Sequence, residues 1–213
     1  MKLYTFFRSS AAYRVRIALN LKGLDYEAIP VNLIEDGGKQ HEESFHEINP
    51  QELIPALVED GESYTQSLAI IEYLEEQNPE IPLMPESPRD RALVRAMALT
   101  IACDIHPLNN LRVLNYLKDE LGQDEDAVNK WYTHWVTLSF KSLEEQISVH
   151  GGDYCFGNTI TIADVFLIPQ IANAKRFKID LSPYPKLCTI DKALSEHPAF
   201  QAAAPENQPD APE

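Results

Sequence analysis

The chain has 213 residues, of which 44% are hydrophobic, enough for a packed core and too many for a disordered segment. Its 18 Lys and Arg against 33 Asp and Glu leave a formal net charge of −15, which argues against nucleic acid or an anionic membrane as partner. The cysteines, Cys103, Cys155 and Cys188, show no C-x-x-C spacing, so neither a disulfide framework nor a zinc site is indicated, and no metal is expected.

The start, Met1-Lys2-Leu3-Tyr4, has no basic stretch followed by an apolar signal core, and no apolar run is long enough to span a bilayer. Reduced thiols fit the cytosol. A soluble cytoplasmic protein is expected.

In chain order, Lys2 to Phe6 is short, apolar and aromatic, and reads as a strand. Ser9 and Ser10 precede a helical pattern through Val15, Ala18, Leu19 and Leu21, closed by Gly23; serine before and glycine after are the expected caps. Tyr26 to Asn32 alternates as a second strand, and a polar helix follows, ending near Asn49-Pro50. Ala56 to Glu59, the turn Asp60-Gly61 and a strand near Tyr64 form a hairpin. Ser67 opens a helix through Ile70, Ile71 and Leu74. The order βαβαββα in residues 1–80 combines a parallel βαβ unit with an antiparallel hairpin and matches a thioredoxin-like fold.

Four prolines between Pro79 and Pro88 mark a linker, assigned to 81–88. Residues 89–213 read as a helical bundle domain, so the class is α/β plus all-α. Arg89 to Leu117 is expected as one long helix, with a possible bend near Pro107, and Glu125 to Val149 as a second. Thr161 to Asp164 has the spacing of a capped helix start. Ala202 to Glu213, rich in Pro, Ala and acid, is expected to be a loosely packed tail.

Four segments have chemical potential. Ser9 and Ser10 lie where a strand ends and a helix begins; one of them serves as an N-cap, or the helix N-terminus stabilises a thiolate placed there. Ile54-Pro55 precedes a strand: a trans proline is the common case, whereas a cis bond would leave the Ile54 backbone free to pair with an extended peptide. Gln66-Ser67 is either a simple cap or a carboxylate site at a helix start. Asp104 to Arg112 packs Asp104, His106, Asn109, Asn110 and Arg112 among Ile105, Leu108 and Leu111, which fits a solvated helix face or a polar cleft equally well.

Together, these segments resemble the zeta class of glutathione transferases, also called maleylacetoacetate isomerases, and the bacterial glutathione-dependent maleylpyruvate isomerases. The similarity runs through Arg14-Val15-Arg16-Ile17-Ala18-Leu19, Asn49-Pro50, Ile54-Pro55-Ala56-Leu57, Gln66-Ser67, His106 to Arg112, Phe156-Gly157 with Thr161 to Asp164, and Gln208-Pro209-Asp210.

The resemblance implies a glutathione-dependent cis–trans isomerase of a small dicarboxylate, a homodimer in the cytoplasm. It implies that Ser9, with Ser10 beside it, addresses the glutathione sulfur. Ile54 pairs through its backbone ahead of a cis-Pro55, Gln66 and Ser67 hold the γ-glutamyl carboxylate, and Gln40 lies by the glycyl end. Asp104, His106 and Asn110 belong to the same cofactor set. Arg8, His106, Asn110, Arg112 and Arg176 surround the substrate, with Arg176 also counted as catalytic. One departure stands out: many zeta enzymes carry Ser-Ser-Cys where this chain has Ser9-Ser10-Ala11. A methyl group is no nucleophile, so the thiol that the reaction needs is expected from glutathione.

Overall fold

The computed structural model describes residues 1–212 and divides into two compact units, Met1–Pro82 together with the residues from Ser195 onward, and Leu83–Leu194. The expected division placed everything after residue 88 in the helical domain; the C-terminal segment instead belongs to the first unit.

The first unit is built on a four-stranded sheet of order β2-β1-β3-β4. Strand β1 (Lys2–Thr5) runs parallel to β2 (Glu27–Pro30) and antiparallel to β3 (Ala56–Glu59), which pairs antiparallel with β4 (Glu62–Thr65). The hairpin closes on two residues of positive φ, Asp60 at 50° and Gly61 at 87°, as the Asp-Gly signal requires. Helix α1 (Ser10–Lys22) and helix α3 (Ser67–Gln77) pack on each other. Gly23, at φ 66°, ends α1 by donating to Asn20 O, while Leu24 N–H reaches Leu19 O. Lys22, buried at that end, lies 2.7 Å from Glu75 and donates to Asn78 O and Ile81 O, so α1 is tied to the end of α3. A separate core of Phe6, Val31, Phe45 and Ile54 joins the strand ends to helix α2 (Glu43–His46).

The polar helix expected before Asn49 is only this short α2, preceded by two 3-10 turns, Glu35–Gly37 and Lys39–His41. Gly37 and Gly38, at φ 83° and 101°, interrupt it, and Asn32 draws the chain back by accepting from Ile34 N–H and Glu35 N–H.

The C-terminal segment is also more ordered than expected. Helix α9 (Pro198–Ala203) packs along α1: Tyr13 Oη donates to Phe200 O and Asn20 Nδ2 to Ala199 O. Beyond it, Gln208 Nε2 donates to Ala202 O and Ala204 O, and Ala211 N–H to Gln208 O.

In the second unit, helix α4 (Pro88–Asp104) packs on helix α6 (Glu125–His150) and helix α7 (Ile162–Arg176). The expected linker is anchored within it, since Leu83 and Met84 are buried and Leu83 O accepts from Ile162 N–H. The long helix expected over 89–117 is broken: α4 ends at Asp104 and α5 (Leu111–Asp119) starts afresh, with Asn110 accepting from Arg112 N–H as its N-cap. Helix α6 holds the connection open, with Trp131 Nε1 donating to Leu108 O and Asn109 Nδ2 to Tyr132 O. Asp164, fully buried, closes the expected capping box with Thr161 and also accepts from Cys155 N–H. Helix α8 (Pro185–Ser195) ends the unit, its first amides capped by Glu144. Among the described residues, no helix is long and apolar enough to cross a membrane.

Candidate active site

In the first unit, the expected residues gather at helix starts and strand ends. Ser9 is the N-cap of α1, with extended backbone and Oγ accepting from Ala12 N–H at 3.2 Å; Ser10 follows as the first helical residue and is buried. Ala11, in place of the family cysteine, is buried too, and all three cysteines belong to the second unit. No thiol of the first unit therefore stands near Ser9. Arg8 is exposed on the same turn.

The Ile54-Pro55 bond is cis, and both residues are buried at the entry to β3. Two residues earlier, Glu52 holds φ 55°, an uncommon conformation for a residue with a side chain. Its carboxylate is gripped on both sides, by His41 Nδ1 at 2.5 Å and His46 Nδ1 at 3.1 Å. These hydrogen bonds, that from His41 foremost, hold the Glu52 carboxyl below its ordinary pKa. Asn49 braces the same loop, donating to Leu53 O and accepting from Gln51 N–H.

Gln66 immediately precedes α3 with φ 68°, again left-handed without being glycine, and its side-chain amide donates to Gln51 Oε1 at 3.0 Å. Ser67 is buried as the first residue of α3, and its Oγ accepts from Arg14 Nη1 at 3.2 Å. The start of α3 thus has a hydroxyl, first-turn amides without an intrahelical partner and a buried guanidinium at its back, a set of donors suited to a carboxylate.

Gln40 Oε1 is buried without a hydrogen-bond partner, while Nε2 contacts His41 Nε2 at 2.9 Å. The two ends of a glutamine amide exchange by a flip, so this side chain can turn either an acceptor or a donor toward a bound peptide.

Arg14 and Arg16 support the site but are not singled out by the motifs. The signal was there: from Ser10 to Leu19, α1 is buried all round, and a cation in such a helix must be supplied with acceptors. Arg16 finds Thr5 Oγ1, Phe6 O, Phe7 O and Ala203 O. Burial lowers its pKa to about 10, which still leaves it charged at neutral pH. Gln51 had no sequence signal beyond its neighbours.

In the second unit, Asp104, His106, Asn110 and Arg112 fall on or beside the α4–α5 break. Asp104 and Arg112 are exposed, and Asn110 serves as the cap described above. Arg176 ends α7, where Nη2 donates to Asn173 Oδ1 and the guanidinium lies 5.0 Å from the Phe177 ring centre. Phe177 stacks in turn on Tyr132 at 3.7 Å. Burial pushes the Tyr132 hydroxyl up to about 12, so it remains a neutral partner for Arg176.

Two family models match the chain, the glutathione S-transferase N-terminal domain over residues 3–82 and the C-terminal domain over 108–203. A probable maleylacetoacetate isomerase of Vibrio cholerae is 53% identical over 209 residues, 98% of this chain and 97% of that protein. Among solved structures, a bacterial maleyl pyruvate isomerase described as a zeta-class glutathione S-transferase superposes with TM-score 0.96 at 45% identity over the whole of both chains. A maleylacetoacetate isomerase of Methylobacterium extorquens AM1, with bound malonate and glutathione, gives 0.95 at 40% identity, again over both whole chains. The chain belongs to the glutathione transferase family and, within it, to the zeta class that includes the maleylacetoacetate and maleylpyruvate isomerases.

Proposed function

We propose that this protein is a glutathione-dependent cis–trans isomerase of a dicarboxylic keto acid, with maleylacetoacetate as its first substrate and maleylpyruvate as the alternative. The observation that carries the reading is the pairing of two helix starts in one unit, Ser9 at α1 and Gln66-Ser67 at α3, in a unit that holds no cysteine. These residues fit a peptide that brings its own thiol. The α3 start and Gln66 take its γ-glutamyl carboxylate, the Ile54 backbone pairs with its middle, Gln40 meets its glycyl end, and Ser9, with Ser10, faces its sulfur. Asp104, His106 and Asn110 complete the set.

Bound glutathione supplies a soft thiolate that adds reversibly to a conjugated cis double bond, so that rotation becomes free before the thiol leaves. The residues of this chain prepare that chemistry. Ser9 donates to the thiolate, and the amides and partial positive charge of the α1 terminus favour its ionised form. Arg112 and Arg176 bind the two ends of the dianionic acid, helped by Arg8, His106 and Asn110, and their donors stabilise charge that develops on the substrate oxygen. In a chain of net charge −15, such arginines provide the local attraction that the overall field opposes. The Vibrio relative's name and the malonate in the Methylobacterium structure support the choice of a small dicarboxylate. The reading includes a cytoplasmic location and a homodimer; light scattering on the purified protein tests the dimer.

The deciding experiment measures turnover of maleylacetoacetate and maleylpyruvate side by side, with and without glutathione. Turnover that needs glutathione without consuming it supports isomerisation, and the faster acid identifies the substrate. Turnover without glutathione overturns the borrowed thiol. Net consumption of glutathione shifts the reading to conjugation.

A further inference from the structure

The turn that delivers Ser9 is held from two sides by groups distant in sequence. Ser9 N–H returns to Phe6 O at 3.0 Å, which makes Phe6 to Ser9 one tight turn. From the α1 side, Arg16 donates to Thr5 Oγ1 at 2.9 Å, Phe6 O at 3.3 Å and Phe7 O at 3.0 Å. From the opposite end of the chain, Asp210 Oδ2 accepts from Phe7 N–H at 2.9 Å. Asp210 is itself firmly placed: Gln208 and Asn207 bond back to α9 carbonyls, and a turn from Gln208 O to Ala211 N–H presents the carboxylate. Arg16 Nε also donates to Ala203 O, so the same guanidinium grips both the turn and the segment that leads to Asp210.

We propose that Asp210 is a positioning residue for Ser9: from the C-terminal segment it fixes the Phe6–Ser9 turn against Arg16, and so aims the Ser9 hydroxyl and the α1 terminus at the bound thiol. The inference rests on the reading of Ser9 given above. A carboxylate is suited to the task because its hydrogen bond to a backbone N–H is charge-assisted and short, and the buried Arg16 cation balances its charge. What it restrains is a turn whose displacement by a fraction of an ångström would spoil the alignment with sulfur.

The test titrates the glutathione thiol by thiolate absorbance in the complex with full-length protein, using wild type, Asp210→Ala and Asp210→Asn. In Asp210→Ala, the bound-thiol pKa is expected to rise by about one, leaving several-fold, at most about tenfold, less thiolate at neutral pH. Isomerase kcat should fall in proportion, with a smaller change in KM for glutathione. Asp210→Asn keeps an acceptor for Phe7 N–H and is expected to restore most of the shift. If the carboxylate acted through its field alone, removing its charge in Asp210→Asn would instead push the thiol pKa below wild type, and that result overturns the positioning role. So does an Asp210→Ala thiol that titrates like wild type while only the melting temperature drops. Should Asp210→Ala not fold, Gln208→Ala, which frees the same turn from α9, is expected to move the thiol pKa in the same direction; a folded Gln208→Ala with an unmoved thiol overturns the proposal. A wild-type complex whose thiol titrates as free glutathione does would end the Ser9 reading itself, and this proposal with it.

Discussion

Arg14 Nη1 donates to Ser67 Oγ at 3.2 Å, so the helix capped by Ser9 supports the helix start proposed to take the γ-glutamyl carboxylate. Both residues are buried, and the bond spans 53 positions of sequence. Stability and the proposed ligand binding therefore meet at Ser67.

Ser67→Ala should lower both. Removing an acceptor from a buried guanidinium costs about 1–3 kcal/mol, and glutathione affinity should fall with it. Gln66, exposed and with its side-chain amide donating to Gln51, should behave differently. Gln66→Ala is expected to weaken glutathione binding by calorimetry while leaving the urea midpoint close to wild type. Equal affinity in wild type and Gln66→Ala would remove Gln66 from the site.

Ser9 combines an observed N-cap with a proposed contact to the thiol, and glycine separates the two. As an N-cap, Ser9→Ala should cost about 0.5–2 kcal/mol, whereas Ser9→Gly costs only a few tenths. Both variants lack the hydroxyl. The bound thiol should titrate at higher pH in both, although only Ser9→Ala melts much earlier. A thiol shift that appears in Ser10→Ala and not in Ser9→Gly would assign the role to Ser10.

Arg112 and Arg176 should matter for turnover and little for glutathione. A charge-assisted hydrogen bond is worth about 1.5–3 kcal/mol, so Arg112→Met should lower kcat/KM by about one to two powers of ten. Arg176→Met should show a similar loss, and it also gives up the contacts to Asn173 and Phe177, so its melting temperature must be read alongside. Unchanged kcat/KM in Arg112→Met, with glutathione bound, would place the clamp elsewhere.

Glu52 gives the site a pH-dependent support. Its folded pKa is depressed, first by the His41 hydrogen bond and then by that from His46. A depressed carboxylate stabilises the fold above its unfolded pKa of about 4.3, and that increment is lost as pH falls through the lower folded value. Urea midpoints of wild type and Glu52→Gln should therefore differ at neutral pH and converge in acid. Midpoints that stay parallel down to the acid limb would mean that the two histidines do not stabilise the ionised form.

Where local rules apply, the sequence was legible. Ser9 and Gly23 bound α1, Asp60-Gly61 makes the hairpin turn, and Thr161 with Asp164 caps α7, because each device works within a few residues and depends on side-chain chemistry that any neighbourhood would use. The alternation of strands and helices through residue 80 follows from the same local logic, and the grouping of Ser9, Pro55, Gln66 and Ser67 into one proposed site rests on the family resemblance.

Only the tertiary structure decided what depends on distant partners. The polar stretch before Asn49 favours a helix by composition, but paired glycines and the pull of Asn32 divide it into turns. The break between α4 and α5 is held by Trp131 and Asn109 bonding across to α6, and no periodicity within residues 89–117 encodes that contact. The C-terminal segment has the composition of a loose tail, yet Asp210 reaches a partner 203 positions away at Phe7. Arg16 likewise shows its purpose only once the strand end, its turn and Ala203 surround it. A buried polar group must be satisfied, and the sequence states that requirement; which backbone atoms satisfy it depends on how the chain closes on itself in space.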